Sequence, residues 1–381
     1  MKMKTLLRVP EIAIGQGCAA DLGKDVLGLP GNPRRVLLVI DPALTAAREQ
    51  IAAALAADRI DVALFDGLSG EATAAQVDAA AAMARGHRAG AVIGVGGGSA
   101  LDIAKLAAAI APAGAGAEHY QFCANPLPSN PLPAICVPTT AGTGSETTTT
   151  VVFANAARKK AWAWGPQLGA AKAVLDPALS VSLPSGLTAA TGIDALTHAV
   201  EACTNRNSFP ANDLFCHEAI RLVAAHLPVA VRAPANLAAR EGMLLAAALA
   251  GIGINNAGTA IAHTIAHALG SLGRVHHGRA AGLGLRASLP WNVTVNAPAY
   301  AAAAKALGGP ADAAALPGLV DALVREVGMK VSLADELPGV TPVILAREMA
   351  LSENSSMRKS NARPSTDGDL LRLAEAVLEA A

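Results

Sequence analysis

The chain has 381 residues, of which 52% are hydrophobic and only 3% aromatic, and its 30 basic and 30 acidic residues cancel. This length exceeds the ~100 to 200 residues of most domains and predicts two domains. Balanced charge without a Lys/Arg block argues against nucleic-acid and membrane-surface partners, so a small-molecule ligand is expected. The five cysteines show no CxxC spacing, which argues against a disulfide framework and a thiolate metal site. We expect a cytoplasmic protein.

Up to about residue 180, short β-branched runs alternate with Ala-rich helical patterns, which is typical of a parallel sheet covered by helices. The predicted strands are Arg35 to Ile40, Asp61 to Phe65, Ala91 to Val95 and Ala134 to Val137. The predicted helices between them are Ala46 to Ala57, Thr73 to Arg85 and Ser99 to Ala111, the last with Ser99 as its N-cap.

Asp41 directly follows the first of these predicted strands. An acidic side chain at such a strand end can accept hydrogen bonds from ribose hydroxyls and repel a 2′-phosphate, which favours NAD over NADP. The standard dinucleotide fingerprint places its acid ~20 residues after the glycines. Here the acid precedes them, so this is not a standard Rossmann unit, and an ordinary turn residue is the alternative.

Two loops have the residue types that bind phosphate or ribose. The run Gly94 to Ser99 lies between a predicted strand and a predicted helix, where backbone N–H groups and the positive helix end can meet a pyrophosphate. The run Pro138 to Glu146 is rich in hydroxyls and glycines and follows another predicted strand. Either loop could be purely structural. Together they indicate a cofactor crevice at the strand ends.

After Asp176 the strand signal fades, and the remainder reads as successive helices separated by prolines. We therefore place the domain boundary near Leu183, between an α/β domain of residues 1–183 and an all-helical domain of residues 184–381. The most apolar stretch, Gly242 to Ala262, is interrupted by Asn255 and Asn256. It is interpreted as two buried helical pieces rather than a membrane span.

The helical part contains a group of potential metal ligands. Asp194 and His198 are four residues apart, so on one helix they project to the same side and can share a cation, although such a pair can also be a hydrogen-bonded couple. Four histidines follow within one apolar region, where burying an imidazole ring without a partner would be energetically unfavourable. They are His263, His267, His276 and His277. Oxygen and nitrogen ligands without thiolates suit Fe(II), Zn(II) or a similar ion.

With these residues assembled, the chain resembles the iron-containing, or group III, alcohol dehydrogenases from end to end. The resemblance covers Pro10 to Gly17, the glycine-rich loop with Asp102 and Lys105, residues 138–146, Lys160, Asp176-Pro177, Gly192 to Ala202, His263 to Gly278 and Asn361 to Pro364. It implies a dehydroquinate synthase-like fold, in which an N-terminal dinucleotide-binding α/β domain with a parallel sheet precedes an all-α catalytic domain. It also implies an active site in the cleft between the two domains and a homodimer or larger homo-oligomer.

The resemblance also implies roles for individual residues. Metal ligation is implied for Asp194, His198, His263 and His277. NAD contacts are implied for Asp41, Gly97, Gly98, Ser99, Asp102, Thr139, Thr140, Thr143 and Lys160. His267 matches a histidine that lies near the nicotinamide and is not a metal ligand. Its role is either to relay a proton or position the substrate, or only to orient the neighbouring ligands. The implied cofactors are NAD(H) and Fe(II) or Zn(II).

The expected reaction is hydride transfer between NAD(H) and a small primary alcohol, aldehyde or hydroxy compound, with the metal lowering the pKa of the alcohol. The chain departs from its relatives at Leu272, Gly273 and His276 and in the loop 67–73, which leaves the substrate open. Arg274 and His276 could accept a carboxylate or phosphonate aldehyde, although Arg274 also fits a solvated turn.

Three alternatives therefore remain. The first is a maleylacetate reductase-type enzyme for an anionic aldehyde or keto acid, although that group usually has Asn where Asp194 stands. The second is a dehydroquinate synthase-like lyase that uses NAD transiently. The third is a non-catalytic scaffold, which the complete ligand set argues against.

Overall fold

In the computed structural model, which describes residues 3–379, the chain folds into two compact units. One, the α/β unit, contains residues 8–140 and 144–182, and the other, the helical unit, contains residues 3–7, 141–143 and 183–379. Residues 1, 2, 380 and 381, which our predicted domain limits include, lie outside the described residues. The predicted fold class, a parallel α/β part followed by an all-α part, is confirmed.

The α/β unit is built on a six-stranded parallel sheet and a separate hairpin. Its strands are β1 (Glu11–Ile14), β2 (Arg35–Ile40), β3 (Asp61–Phe65), β4 (Ala91–Gly96), β5 (Ala134–Pro138), β6 (Thr150–Ala154), β7 (Lys160–Trp164) and β8 (Lys172–Leu175). The sheet order is β1-β8-β5-β4-β2-β3, and β6 and β7 form the antiparallel hairpin. Gly96 pairs with Pro138 and Ile40 with Val95, so the carboxyl ends of β2, β4 and β5 lie side by side.

Four helices cover both faces of this sheet, which is why its central strands are apolar throughout. They are α1 (Leu22–Gly28), α2 (Thr45–Ala57), α3 (Ala74–His87) and α4 (Gly98–Ile110). Alternate residues of β2 lie on opposite faces of the sheet and belong to different apolar clusters. Leu37 and Val39 pack with residues of α3 and α4, whereas Leu38 and Ile40 pack with residues of α1 and α2. Helix α4 is almost wholly buried, and its many alanines allow that close packing.

The predicted strands β2 and β3 are confirmed at both ends, and β4 and β5 each end one residue later than predicted. Thr73 caps α3 together with Gln76 in a reciprocal capping box. The prediction that Ser99 caps α4 is wrong, because α4 begins at Gly98 with Gly97 as its N-cap. Gly96 has φ +146°, a conformation that favours glycine, and this lets the chain leave β4 directly into the helix.

The helical unit contains ten α-helices among the described residues. They are α5 (Ser185–Thr204), α6 (Pro210–Arg232), α7 (Leu237–Ala257), α8 (Ile261–Leu272), α9 (His277–Asn292), α10 (Ala297–Ala306), α11 (Leu316–Glu326), α12 (Pro342–Met349), α13 (Ser355–Ser360) and α14 (Asp367–Glu379). Short 3₁₀ turns across the chain are Cys18–Asp21, Ala117–Cys123, Ser145–Thr147, Pro166–Leu168, Pro177–Ser180, Ala313–Ala315 and Ser352–Asn354. One continuous apolar core contains residues from each of these α-helices except α13.

The apolar stretch Gly242 to Ala262 forms two helical pieces, as predicted. It contains most of α7 and the first turn of α8, and the break falls at Gly258, whose φ is +78°. Helices α6 and α7 are long and apolar enough to cross a bilayer by length and composition alone. Buried core helices pass the same test, and both helices contribute residues to the core of the helical unit.

Candidate metal centre and cofactor segments

Helix α5 supplies three buried polar side chains on one face. Asp194, His198 and Glu201 follow one another at intervals of four and three residues, the spacing of neighbours on a helix surface. Their environment is otherwise apolar, because α5 is buried along nearly its whole length. Burying three polar groups together is costly unless each has a partner. The face therefore marks a site rather than ordinary core.

The four predicted metal ligands converge. The ligand atoms offered by Asp194, His263 and His277 all lie within 4.8 Å of one another. His263 Nε2 is 3.7 Å and His198 Nε2 is 3.8 Å from the same oxygen, Asp194 Oδ1. Ligand atoms that bind one cation at ~2.0–2.2 Å can be separated by up to twice that distance. The separations of 3.7 and 3.8 Å lie within this limit, so Asp194, His198 and His263 suit a shared ion, with the ligand atom of His277 close by.

The chemistry of this group fits a divalent cation. Asp194 Oδ1 is buried, and no hydrogen-bond partner for it exists among residues 3–379. An unsatisfied buried carboxylate oxygen is unfavourable, and a cation would satisfy it. One carboxylate and three imidazoles, without a thiolate, suit Fe(II) or Zn(II).

The imidazole of His198 is oriented for ligation. Its Nδ1 lies 3.2 Å from the carbonyl oxygen of Gly142, which can only accept a hydrogen bond, so Nδ1 carries the proton and Nε2 faces Asp194. Burial lowers the pKa of His198 below its ordinary value, against the opposing effect of nearby Asp194. The neutral ring that a metal requires is thereby favoured.

His263 is held by Glu201. Its Nδ1 lies 2.6 Å from Glu201 Oε2, and the same carboxylate accepts hydrogen bonds from the backbone N–H groups of Ala260 and Ala262. Glu201 was missed at the level of sequence, where it appears only inside the Gly192 to Ala202 motif. Its position seven residues after Asp194, two turns along the same helix face, is the signal that could have identified it.

His277 reaches the group because α5 and α9 approach closely at Gly278. A Cβ on Gly278 would lie 2.5 Å from the backbone oxygen of Ala190 and 3.1 Å from the Cβ of Asp194. Glycine at this position therefore lets His277, the first residue of α9, lie beside the carboxylate of α5.

His267 lies next to this group, since its ring centroid is 5.8 Å from that of His277. Arg274 and His276, in contrast, are exposed in the segment that precedes α9. Exposure of Arg274 agrees with the solvated turn that we weighed as its alternative.

The predicted cofactor residues, apart from Thr143, belong to the α/β unit. Asp41 directly follows β2, and its Oδ1 accepts a hydrogen bond from the backbone N–H of Ala43 at 2.9 Å, so the turn role is present.

The start of α4 is formed by Gly97, Gly98 and Ser99, and no side chain caps the helix at Gly97. A Cβ on Gly97 would meet only the Thr140 side chain, at 3.5 Å. The uncapped backbone N–H groups fit an anionic phosphate.

Asp102 binds protein donors through both of its carboxylate oxygens. Ser145 Oγ donates to Oδ1 at 2.5 Å, and the backbone N–H of Val152 donates to Oδ2 at 2.9 Å. Buried Lys105, 3.8 Å from Asp102, donates to the backbone oxygens of Ser145 and Thr150 at 2.7 and 2.8 Å. Asp102 and Lys105 thus connect α4 with the end of the hydroxyl-rich loop and the start of β6.

The hydroxyl-rich loop begins where β5 ends. The backbone N–H of buried Thr139 donates to Gly96 O at 2.9 Å, which joins the ends of β5 and β4. Thr140 and Thr143 are partly exposed, and Thr143 groups with the helical unit. Lys160, at the start of β7, pairs with Glu71 at 3.2 Å.

Glu146 is a second buried acid that the sequence did not single out. Its side chain is fully enclosed, and burial raises its pKa to about 7 despite the nearby Lys105. A hydroxyl-rich motif that ends in glutamate gives no indication by itself that this glutamate points into the protein interior.

Comparison with known proteins gives consistent matches over nearly the whole chain. Residues 10–177 match the family model described as iron-containing alcohol dehydrogenase, and residues 188–376 match the C-terminal model of the Fe-containing alcohol dehydrogenase family. The NAD-dependent methanol dehydrogenase of Bacillus methanolicus is 32% identical over 323 residues, which are 83% of this chain and 84% of that protein.

Two solved structures have the same fold. A 1,3-propanediol oxidoreductase superposes with a TM-score of 0.90 at 30% identity, covering 99% of this chain and 100% of that one. A sulfoacetaldehyde reductase from Bifidobacterium kashiwanohense, in complex with NAD+, superposes with a TM-score of 0.91 at 27% identity, covering all of both chains.

Proposed function

Since the chain belongs to the iron-containing alcohol dehydrogenase family, we propose that Asp194, His198, His263 and His277 bind its catalytic divalent metal. The protein is an oxidoreductase that uses NAD(H) and a divalent metal to interconvert alcohols and aldehydes. The observation that carries the ligand assignment is that the buried Asp194 carboxylate lies beside His263, His277 and His198, with its Oδ1 lacking a hydrogen-bond donor among residues 3–379.

The bound cation would act as a Lewis acid that lowers the pKa of an alcohol hydroxyl, while NAD would accept the hydride. The protein's own part is to orient the ligands and to favour the neutral form of His198. The low pKa of His198 and the contact between its Nδ1 and Gly142 both favour a ring whose Nε2 lone pair is available. His267, next to His277, is our candidate for moving the proton or positioning the substrate.

We assign NAD contacts to the start of α4, the strand ends and the hydroxyl-rich loop. The residues are Asp41, Gly97, Gly98, Ser99, Asp102, Thr139, Thr140, Thr143 and Lys160. Support comes from the uncapped N-terminus of α4 and from the adjacent carboxyl ends of β2, β4 and β5. For Asp102 the support is indirect, since both its carboxylate oxygens bind protein donors.

We further propose that residues 1–183 act as the NAD-binding domain and residues 184–381 as the metal-binding domain. A cytoplasmic location is supported by five cysteines that are all free. A homo-oligomer is consistent with the two edge strands of the sheet, β1 and β3. The backbone N–H and C=O groups on their outer sides could form hydrogen bonds with a second copy of the chain. We expect neither nucleic acid nor membrane as a partner.

A reductase for an anionic aldehyde is the second candidate. The sulfoacetaldehyde reductase of Bilophila wadsworthia is 32% identical over 79% of this chain, and Arg274 is an exposed cation three residues before His277. A guanidinium can bind a sulfonate, phosphonate or carboxylate through paired hydrogen bonds.

Reconstitution with Fe(II) or Zn(II), followed by a substrate panel, tests both candidates. Neutral and anionic aldehydes are offered with NADH, and the matching alcohols with NAD. We expect steady NADH accumulation from the alcohols, which a lyase that uses NAD transiently would not give. His263→Ala is expected to lose metal binding and turnover but keep NAD binding, whereas His217→Ala, a partly exposed histidine of α6, should match the wild type. Full turnover in His263→Ala would refute the ligand assignment.

A further inference from the structure

We propose that Glu201 is a positioning residue that fixes the ring of His263 in the tautomer and orientation needed for metal ligation. The inference rests on the proposed role of His263 as a ligand. Three donors converge on the Glu201 carboxylate: His263 Nδ1 at 2.6 Å and Ala260 N at 2.8 Å on Oε2, and Ala262 N at 2.7 Å on Oε1. Glu201 is only 4% exposed, so solvent competes little for these bonds.

The contact decides where the proton of the ring lies. A carboxylate that already accepts two backbone N–H bonds is an acceptor, so the hydrogen bond at 2.6 Å requires the proton on His263 Nδ1. Nε2 then keeps its lone pair, and it is Nε2 that lies 3.7 Å from Asp194 Oδ1. Glu201 therefore directs the ligating atom of His263 toward the other metal ligands.

The same carboxylate also fixes the helix that carries the ring. Ala260 is the N-cap of α8, which has no side-chain cap of its own, and Ala262 lies in its first turn. Backbone N–H groups at a helix start have no intrahelical acceptor, and Glu201 supplies one from α5. One side chain thus holds both the backbone of α8 and the imidazole that projects from its first turn.

Glutamine in place of Glu201 would preserve size but not this function. Its amide offers one oxygen to three donors, and its NH₂ group would face a donor. Either a backbone N–H loses its partner or His263 turns its Nδ1 lone pair toward the amide. The second outcome puts the proton on Nε2, where it blocks ligation. We expect Zn(II) affinity to fall roughly 10- to 100-fold in Glu201→Gln, the range typical for loss of a group that orients a metal ligand.

The test measures Zn(II) affinity by competition with a chromophoric chelator for wild type, Glu201→Gln and Asp369→Asn. Asp369 is the matched control, because it also accepts a backbone N–H and side-chain donors at a helix start but lies at α14. Thermal unfolding without metal records the loss of stability in each variant. We expect both to lose stability and only Glu201→Gln to lose Zn(II) affinity.

Nitrogen-15 NMR of the histidine rings in the metal-free protein gives a second readout, with the His263 signals assigned by their absence in His263→Ala. Wild type should show the Nδ1–H tautomer at His263, which decides the matter even if Glu201→Gln does not fold. An Nε2–H tautomer in the wild type, or wild-type Zn(II) affinity in Glu201→Gln, would overturn the role of Glu201 and leave the proposed ligand set standing. Failure of the wild type to bind Zn(II) would overturn both the ligand set and the role of Glu201.

Discussion

The close approach of α5 and α9 at Gly278 provides a sharp test of how the helical unit builds its metal centre. A Cβ at this position would be 2.5 Å from the Ala190 oxygen, about 0.9 Å short of the 3.4 Å at which ordinary contacts begin. In Gly278→Ala one helix must therefore shift by about that amount. Overpacking of this kind costs ~1–3 kcal/mol. Metal sites tolerate ligand displacements of only ~0.2 Å, so the movement of His277 matters more than the lost stability.

Gly186→Ala is the matched control, because Gly186 is the second residue of α5 as Gly278 is of α9, and no heavy atom lies within 4 Å of its Cβ position. The control should be unchanged or more stable by up to ~1 kcal/mol. Chemical denaturation gives the free energies of unfolding, and chelator competition gives Zn(II) affinity. We expect Gly278→Ala to lose at least tenfold in affinity while Gly186→Ala loses none. Equal affinity in the two variants would refute the argument that this packing places His277.

Three further predictions concern the α/β unit. The pKa of Glu146, about 7 in the fold against an ordinary 4.5, means that the folded state holds this proton more tightly than the unfolded chain. The free energy of unfolding should therefore fall by about 3 kcal/mol as pH rises from 4.5 to 7, and Glu146→Gln should remove that fall in denaturation at a series of pH values. Lys105→Met should cost ~3–5 kcal/mol and weaken NAD binding, because it leaves the Asp102 carboxylate without its positive partner and the backbone oxygens of Ser145 and Thr150 without their donor. Unchanged unfolding in urea would contradict this. Asp41→Ala should raise the affinity for NADP(H) relative to NAD(H) roughly tenfold or more by removing a like charge, and titration with both cofactors checks it.

Much of the fold could be predicted from local patterns. Strand β2 is a run of buried β-branched and aliphatic residues, β3 is a short apolar run that follows Asp61, and the sequence located both ends of each strand. Strands β1 and β8 have only four residues each and were missed, because such short segments carry too little periodicity. Ser99 was wrongly predicted as a cap because residue preference does not show that the chain turns at Gly96, which makes Gly97, two residues before Ser99, the N-cap.

The candidate site divides in the same way. Asp194 and His198 lie four residues apart on one helix, so their proximity follows from sequence. The hydrogen bonds of Glu201 connect residues about sixty positions apart, and those of Asp102 connect residues more than forty apart. Only the tertiary fold, which brings the start of α8 to Glu201 and the hydroxyl-rich loop to α4, places those partners together.

The most direct test of the metal centre is the anomalous diffraction of crystals of the Zn(II)-loaded protein, measured at the zinc edge. One anomalous peak should lie ~2.0–2.2 Å from an oxygen of Asp194 and from one ring nitrogen each of His198, His263 and His277. A fully occupied ion bound elsewhere, with these four side chains free of metal, would contradict the account.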